Sequence, residues 1–161
     1  MELYFLRHGA AVDQAPAGGS DADRPLSDEG AAEMEAEARG LERLNVRPDL
    51  LLTSPLVRAQ QTATIVGRAL GVQAQPAEAL APGCDLARLL GLLGEHSAAE
   101  RVMVVGHEPD FSRLIGTLTG GSRVQLKKGG LARVDLAALE QGAGVLVWLL
   151  PPRVLREVAG S

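Results

Sequence analysis

Short apolar runs alternate with longer amphipathic stretches along this chain, and that alternation most limits the folds open to it. Leu3–Leu6 reads as a buried strand ending at Arg7-His8. Residues 10–25, rich in Ala, Gly, Pro and Asp, read as a loop. Ser27 then offers a capping hydroxyl, with Asp28 and Glu29 in the first turn of a helix predicted to run to about Asn45 and to turn Met34, Leu41 and Leu44 inward. Leu50–Thr53 is a second strand. Ser54-Pro55 reads as a capping serine and a proline at the first position of a helix extending to about Leu70. Gly71–Ala74 is a short third strand, and Asp85 caps a leucine-rich helix over 86–95. Arg101–Val105 is a fourth strand, and Pro109 and Asp110 lie near the start of another helix. Leu131–Leu136 and Val145–Leu150 close the sheet as a hairpin with Gly142 and Gly144 at its turn. The segment after Pro151-Pro152 reads as a surface tail. Strands alternating with helices imply an α/β chain: a three-layer α/β/α sandwich with a largely parallel central sheet, expected as a single domain over residues 1–161.

Composition excludes several classes of function. Aromatic residues make up only 2% of the chain, too few for the stacking platforms that hold single-stranded nucleic acid. The formal net charge is −4, and Lys127-Lys128 is only a pair, so no broad surface for nucleic acid or anionic membrane is expected. The longest apolar run, Val145–Leu150, falls far short of the roughly 20 residues that span a bilayer. Cys84 is the only cysteine, which rules out an intrachain disulfide. With no recognisable secretion signal, a cytoplasmic location and a monomer are expected. Cys84 also fails as a phosphatase nucleophile: the arginine such a loop requires after five intervening residues is replaced by Leu90.

Three predicted strands end in polar residues of related type: Arg7-His8-Gly9, Thr53-Ser54-Pro55 with Arg58 beyond, and Gly106-His107-Glu108. In open α/β sheets ligands bind beyond the carboxyl ends of the strands, so all three groups share one rim. Two of the chain's three histidines fall there; His96, after an apolar helix, reads as a surface residue. Two imidazoles with two guanidiniums suit a dianionic phosphoryl group, because the arginine fork matches phosphate oxygens. The helix N-terminus after Ser54 adds free N–H groups, and Gly9 would let the backbone turn closely beside the bound group. The same arginines would repel a metal ion, so no metal and no other cofactor is expected.

These segments resemble the histidine phosphatase superfamily, whose signature is Arg-His-Gly at the end of the first strand, and most closely its small bacterial phosphohistidine phosphatases of the SixA type. The resemblance rests on Leu6-Arg7-His8-Gly9, Arg24-Pro25-Leu26-Ser27, Ser54-Pro55 through Gln61-Thr62, Leu80-Ala81-Pro82-Gly83 and Val105 through Pro109, in that order. It implies a phosphoglycerate mutase-like fold, His8 as nucleophile, and Arg7, Arg58 and His107 as the pocket for the phosphoryl oxygens. Arg24 would add a phosphate or substrate contact. Physical chemistry agrees: a neutral imidazole is a competent nucleophile, and nearby arginines disfavour a second positive charge on His8.

Larger members of the superfamily carry a carboxylate that protonates the leaving oxygen. Here Glu78 and Asp85 flank Leu80-Ala81-Pro82 as candidate acids, but Ala79 stands at the expected place. A P–N bond to imidazole breaks more readily than an alkyl phosphate ester, so the pattern favours protein phosphohistidine as substrate. A phosphatase of small metabolites (sugar phosphates or nucleotides) is the alternative enzyme reading, and a non-catalytic phospho-ligand binding module is a third.

Overall fold

A computed structural model describes residues 1–160. Its strands are β1 (Glu2–Arg7), β2 (Leu50–Thr53), β3 (Ala74–Pro76), β4 (Arg101–Gly106), β5 (Leu131–Leu136) and β6 (Gly144–Leu150), and its helices are α1 (Asp28–Arg43), α2 (Val57–Leu70), α3 (Leu86–Glu95), α4 (Asp110–Leu118) and α5 (Pro152–Gly160). Short 3₁₀ turns occupy Asp21–Asp23 and Glu78–Leu80.

The six strands form one sheet in the order β3-β2-β4-β1-β5-β6. The first four are mutually parallel; β5 is antiparallel to β1, and β6 is antiparallel to β5. β1 and β4 are the central strands, and their interiors are buried on both faces, as near-continuous apolar runs require. One apolar cluster joins the sheet to α3 and α4 through Leu89, Leu93, Phe111 and Ile115. The other joins its opposite face to α1, α2 and α5 through Met34, Leu41, Ala63, Val66 and Leu155. The expected three layers and largely parallel sheet are thus observed. Among the described residues, no helix is long and apolar enough to cross a membrane.

Capping matches the sequence at two helices. The Ser27 hydroxyl accepts from Gly30 N at 3.0 Å, and Asp85 accepts from Arg88 N at 2.9 Å. Three local expectations are corrected. Ser54-Pro55 does not open α2, which begins at Val57 with Leu56 at its cap; the Ser54 hydroxyl accepts from Leu56 N and pairs with His107 Nε2. The third strand starts at Ala74 rather than Gly71, because Gly71 adopts φ +70° to end α2 and Val72 N turns back onto Gly67 O at 3.0 Å. The final segment is a helix rather than a tail. Pro152 sits at its first turn, where a proline lacking N–H costs nothing, and Leu155 is fully buried against α1. The two helices meet at Gly40, where a side chain would run into the Leu155 carbonyl.

The strand order does the main positional work. β2, β4 and β1 are neighbours and parallel, so their carboxyl ends bring Ser54, His107 and His8 side by side on one edge.

Candidate active site

His8 follows the last residue of β1 and is 6% exposed. Its backbone N–H donates to Gly106 O at 3.1 Å, tying the strand end to β4. Its Nδ1 lies 2.7 Å from Gly9 O. A carbonyl can only accept, so Nδ1 carries the proton and Nε2 the in-plane lone pair. That Nε2 faces Arg58, whose Nε donates to it at 3.3 Å. Burial pulls the His8 pKa down to about 3; the Gly9 hydrogen bond opposes this, and His107, Arg58 and Arg7 reinforce it. His8 is therefore neutral at physiological pH, with one nitrogen ready to attack.

His107, just past β4, is 4% exposed, and its ring centroid lies 5.1 Å from that of His8. Burial lowers its pKa to about 4, with Arg58 adding to the effect while Asp110 and Asp21 oppose it. His107 Nε2 is 2.7 Å from the Ser54 hydroxyl, which also accepts from Leu56 N at 3.3 Å. When that hydroxyl donates to Nε2, Nδ1 becomes the N–H. Nδ1 is buried without a protein partner, as is Arg7 Nε. Buried donors are normally satisfied, so two orphans flanking His8 mark where an anion's oxygens belong.

Arg7 is held at both ends. Its backbone N–H donates to Gly130 O and its carbonyl accepts from Gly129 N, both at 3.1 Å, while Nη1 donates to Leu126 O at 3.0 Å. Burial lowers its pKa from the usual arginine value. Arg58, on the first turn of α2, is buried and anchored by Asp21: Nη1 reaches the Asp21 carbonyl at 2.8 Å and Nη2 its carboxylate at 3.1 Å. Arg24 reaches the other carboxylate oxygen of Asp21 at 3.0 Å and so joins the cluster through that residue.

The structure thus gathers Arg7, His8, Arg58 and His107, with Arg24 one link further out. Gly9 also carries a packing constraint. A Cβ there would lie 2.5 Å from Met34 Cγ, so the glycine lets α1 close under the site, and its N–H donates to Thr62 Oγ1 at 3.1 Å. Asp85 is exposed and occupied as the α3 cap. Glu78 is exposed at the 3₁₀ turn beyond β3. Sequence reasoning missed Ser54 as the partner of His107, Thr62 as the support of Gly9, and Asp21 as the partner of Arg58. Ser54 was legible as a serine at the end of a buried strand, the position shared with His8 and His107. Asp21 lies in a loop of repeated Asp, Ala and Gly that singles out no residue.

Chemically, the site offers a neutral nitrogen nucleophile beside two guanidiniums and an imidazole N–H. Were Nε2 to give its lone pair to an electrophile, positive charge would grow on the ring, and the Gly9 carbonyl at Nδ1 would stabilise it. The arginines would balance the charge spread over the equatorial oxygens of a phosphoryl group.

Comparison with known proteins agrees with this geometry. The family model for the histidine phosphatase superfamily (branch 1) matches residues 3–82. The phosphohistidine phosphatase SixA of Escherichia coli K12 is 32% identical over 160 residues, covering 94% of each chain. A structure of the protein histidine phosphatase SixA complexed with tungstate superposes with a TM-score of 0.85 at 29% identity, covering 96% of this chain and 99% of the other. The α-ribazole phosphatase of Shigella flexneri, 20% identical over 94% of this chain and 97% of its own, shares the fold with a TM-score of 0.73. On its sequence, its fold and the order of its strand-end residues, this chain belongs to the histidine phosphatase superfamily.

Proposed function

We propose that this protein removes phosphoryl groups from histidine residues of other proteins, through a transiently phosphorylated His8. The observation that carries the reading is the pairing of a neutral His8, its Nε2 engaged only by the N–H of Arg58, with the unpartnered buried nitrogens of Arg7 and His107. In the first step the substrate P–N bond breaks as the bond from phosphorus to His8 Nε2 forms. The departing nitrogen keeps the electron pair; with a proton already on its other ring nitrogen, the leaving group is neutral imidazole and needs no general acid. Water then attacks phosphorus, the bond to Nε2 breaks, and phosphate leaves with the protons of that water. Arg7, Arg58 and His107 hold the oxygens throughout, and no step calls on a metal.

The substrate class is supported by the 32% identity to a phosphohistidine phosphatase along nearly the whole chain and by the use of Asp85 as a helix cap rather than an acid. Hydrolysis in EDTA tests it, comparing a phosphohistidine-bearing protein with p-nitrophenyl phosphate and a panel of sugar phosphates, with His8→Ala as control. His8-dependent release from phosphohistidine alone is expected. Faster release from a sugar phosphate would replace the protein substrate with a metabolite and make Glu78 the next residue to mutate. Activity lost in EDTA and restored by added metal would overturn the metal-free route.

A further inference from the structure

Arg58 is almost entirely committed before any substrate arrives. Its Nε faces His8, and both terminal nitrogens are held by Asp21. The Asp21 carboxylate also takes Arg24, so its two oxygens bridge two guanidiniums, one each. Bridging of this kind is what phosphoryl oxygens do between arginines. The carboxylate's charge also acts on His107. A negative group therefore already stands where the substrate's negative group has to be bound.

The two partners differ in freedom. The Arg58 side chain is 8% exposed, whereas that of Asp21 is 63% exposed, on a 3₁₀ turn with no buried residue. Exposed ion pairs hold weakly and exchange with water. The bond from Arg58 Nη1 to the Asp21 carbonyl at 2.8 Å is independent of the carboxylate's charge and keeps Arg58 in place when the carboxylate leaves. The carboxylate is the part that can swing out.

We propose that Asp21 is a specificity-determining residue, an internal competitor whose carboxylate occupies Arg58 and Arg24 in the free enzyme, yields to an incoming phosphoryl group and returns to displace inorganic phosphate. A phosphorylated protein brings contacts beyond its phosphoryl group and overcomes the competition. Bare phosphate brings none and is held weakly, which limits product inhibition. This inference rests on the reading of the pocket as the phosphoryl site.

Calorimetric titration with inorganic phosphate tests it on the wild-type chain, Asp21→Asn, Asp21→Ala and Arg58→Ala, together with inhibition of turnover by added phosphate. Removing the carboxylate takes away both the competitor and a repelling charge. Both Asp21 variants should therefore bind phosphate on the order of tenfold more tightly and show correspondingly stronger product inhibition. A residue that merely positioned Arg58 would move affinity the other way, so unchanged or weaker binding in both variants overturns the proposal. Phosphate binding equal in the wild type and Arg58→Ala, or absent from every variant, would overturn the phosphoryl-site reading beneath it. The two failures are thereby distinguished.

Discussion

Lowering the pH should destabilise this protein through its own pocket. His8 and His107 are buried neutral, with pKa values of about 3 and about 4, against 6.5 for an unperturbed imidazole. Between those values and 6.5 the unfolded chain binds protons that the folded chain refuses, so stability rises with pH across the window and falls as acid is added. From about pH 8 to about pH 5 each imidazole withdraws about 2 kcal/mol, roughly 4 kcal/mol for the pair, a large part of the 5–15 kcal/mol typical of a domain. Urea unfolding followed by the fluorescence of Trp148, the chain's single tryptophan, would measure it. The informative quantity is the difference between the wild type and the His8→Gln/His107→Gln double variant, because titrations elsewhere cancel. The wild type should lose roughly 4 kcal/mol more than the double variant over that span. Parallel stability curves would refute the claim that these imidazoles are buried uncharged.

Three further outcomes are expected. Ser54→Ala removes the partner of His107 Nε2 and the acceptor of Leu56 N, so kcat/KM should fall about tenfold and stability by about 1–3 kcal/mol, as steady-state kinetics on a phosphohistidine-bearing protein and urea unfolding would show. Leu155→Ala should cost about 2–5 kcal/mol in urea unfolding, since the side chain is fully buried between α5 and α1. Glu37, buried on α1 and paired with Arg156, has its pKa raised to about 7 by burial, with the arginine opposing. The folded chain there holds a proton that the unfolded chain releases, so stability falls as pH rises from about 4.5 to about 7, by up to about 3 kcal/mol. Glu37→Gln should remove that slope, and a wild-type slope surviving in the variant would assign it to other groups.

The sequence was most informative where one physical signal dominates. Buried strands read as apolar runs, and β1, β2, β4 and β5 fall within a residue or two of expectation. His8, Arg7 and His107 were legible because strand ends in an α/β chain are where function collects. Legibility failed where two signals competed at one residue. Ser54 before Pro55 has the form of a helix start, yet its hydroxyl serves His107. Pro151-Pro152 has the form of a terminus, yet proline is tolerated in a first helical turn, and the periodicity around Leu155 decides the matter. At Gly9 the strand-end pattern does not reveal the close approach of Met34 behind it. Asp21 depends on a tertiary contact between a loop and α2 that no local pattern encodes.

The fate of the carboxylates around the rim bears on the substrate more than the nucleophile does. Asp85 accepts from Arg88 N at the start of α3, Asp110 accepts from Gly83 N at 2.7 Å, and Glu108 accepts from Ser112 N at 3.2 Å. Asp21 sits on two arginines, which hold its carboxyl below the usual range, Arg58 foremost. Asp21 is thereby stabilised as the anion, the wrong state for giving a proton to a leaving group, and the other three carboxylates are engaged by backbone N–H groups. Glu78 stands exposed at the turn beyond β3. An alkyl phosphate ester, whose departing alkoxide needs a proton in the transition state, is poorly matched to such a rim. A phosphoryl group on imidazole is well matched, because its leaving nitrogen departs neutral once the ring is protonated, leaving the pocket only the oxygens to hold.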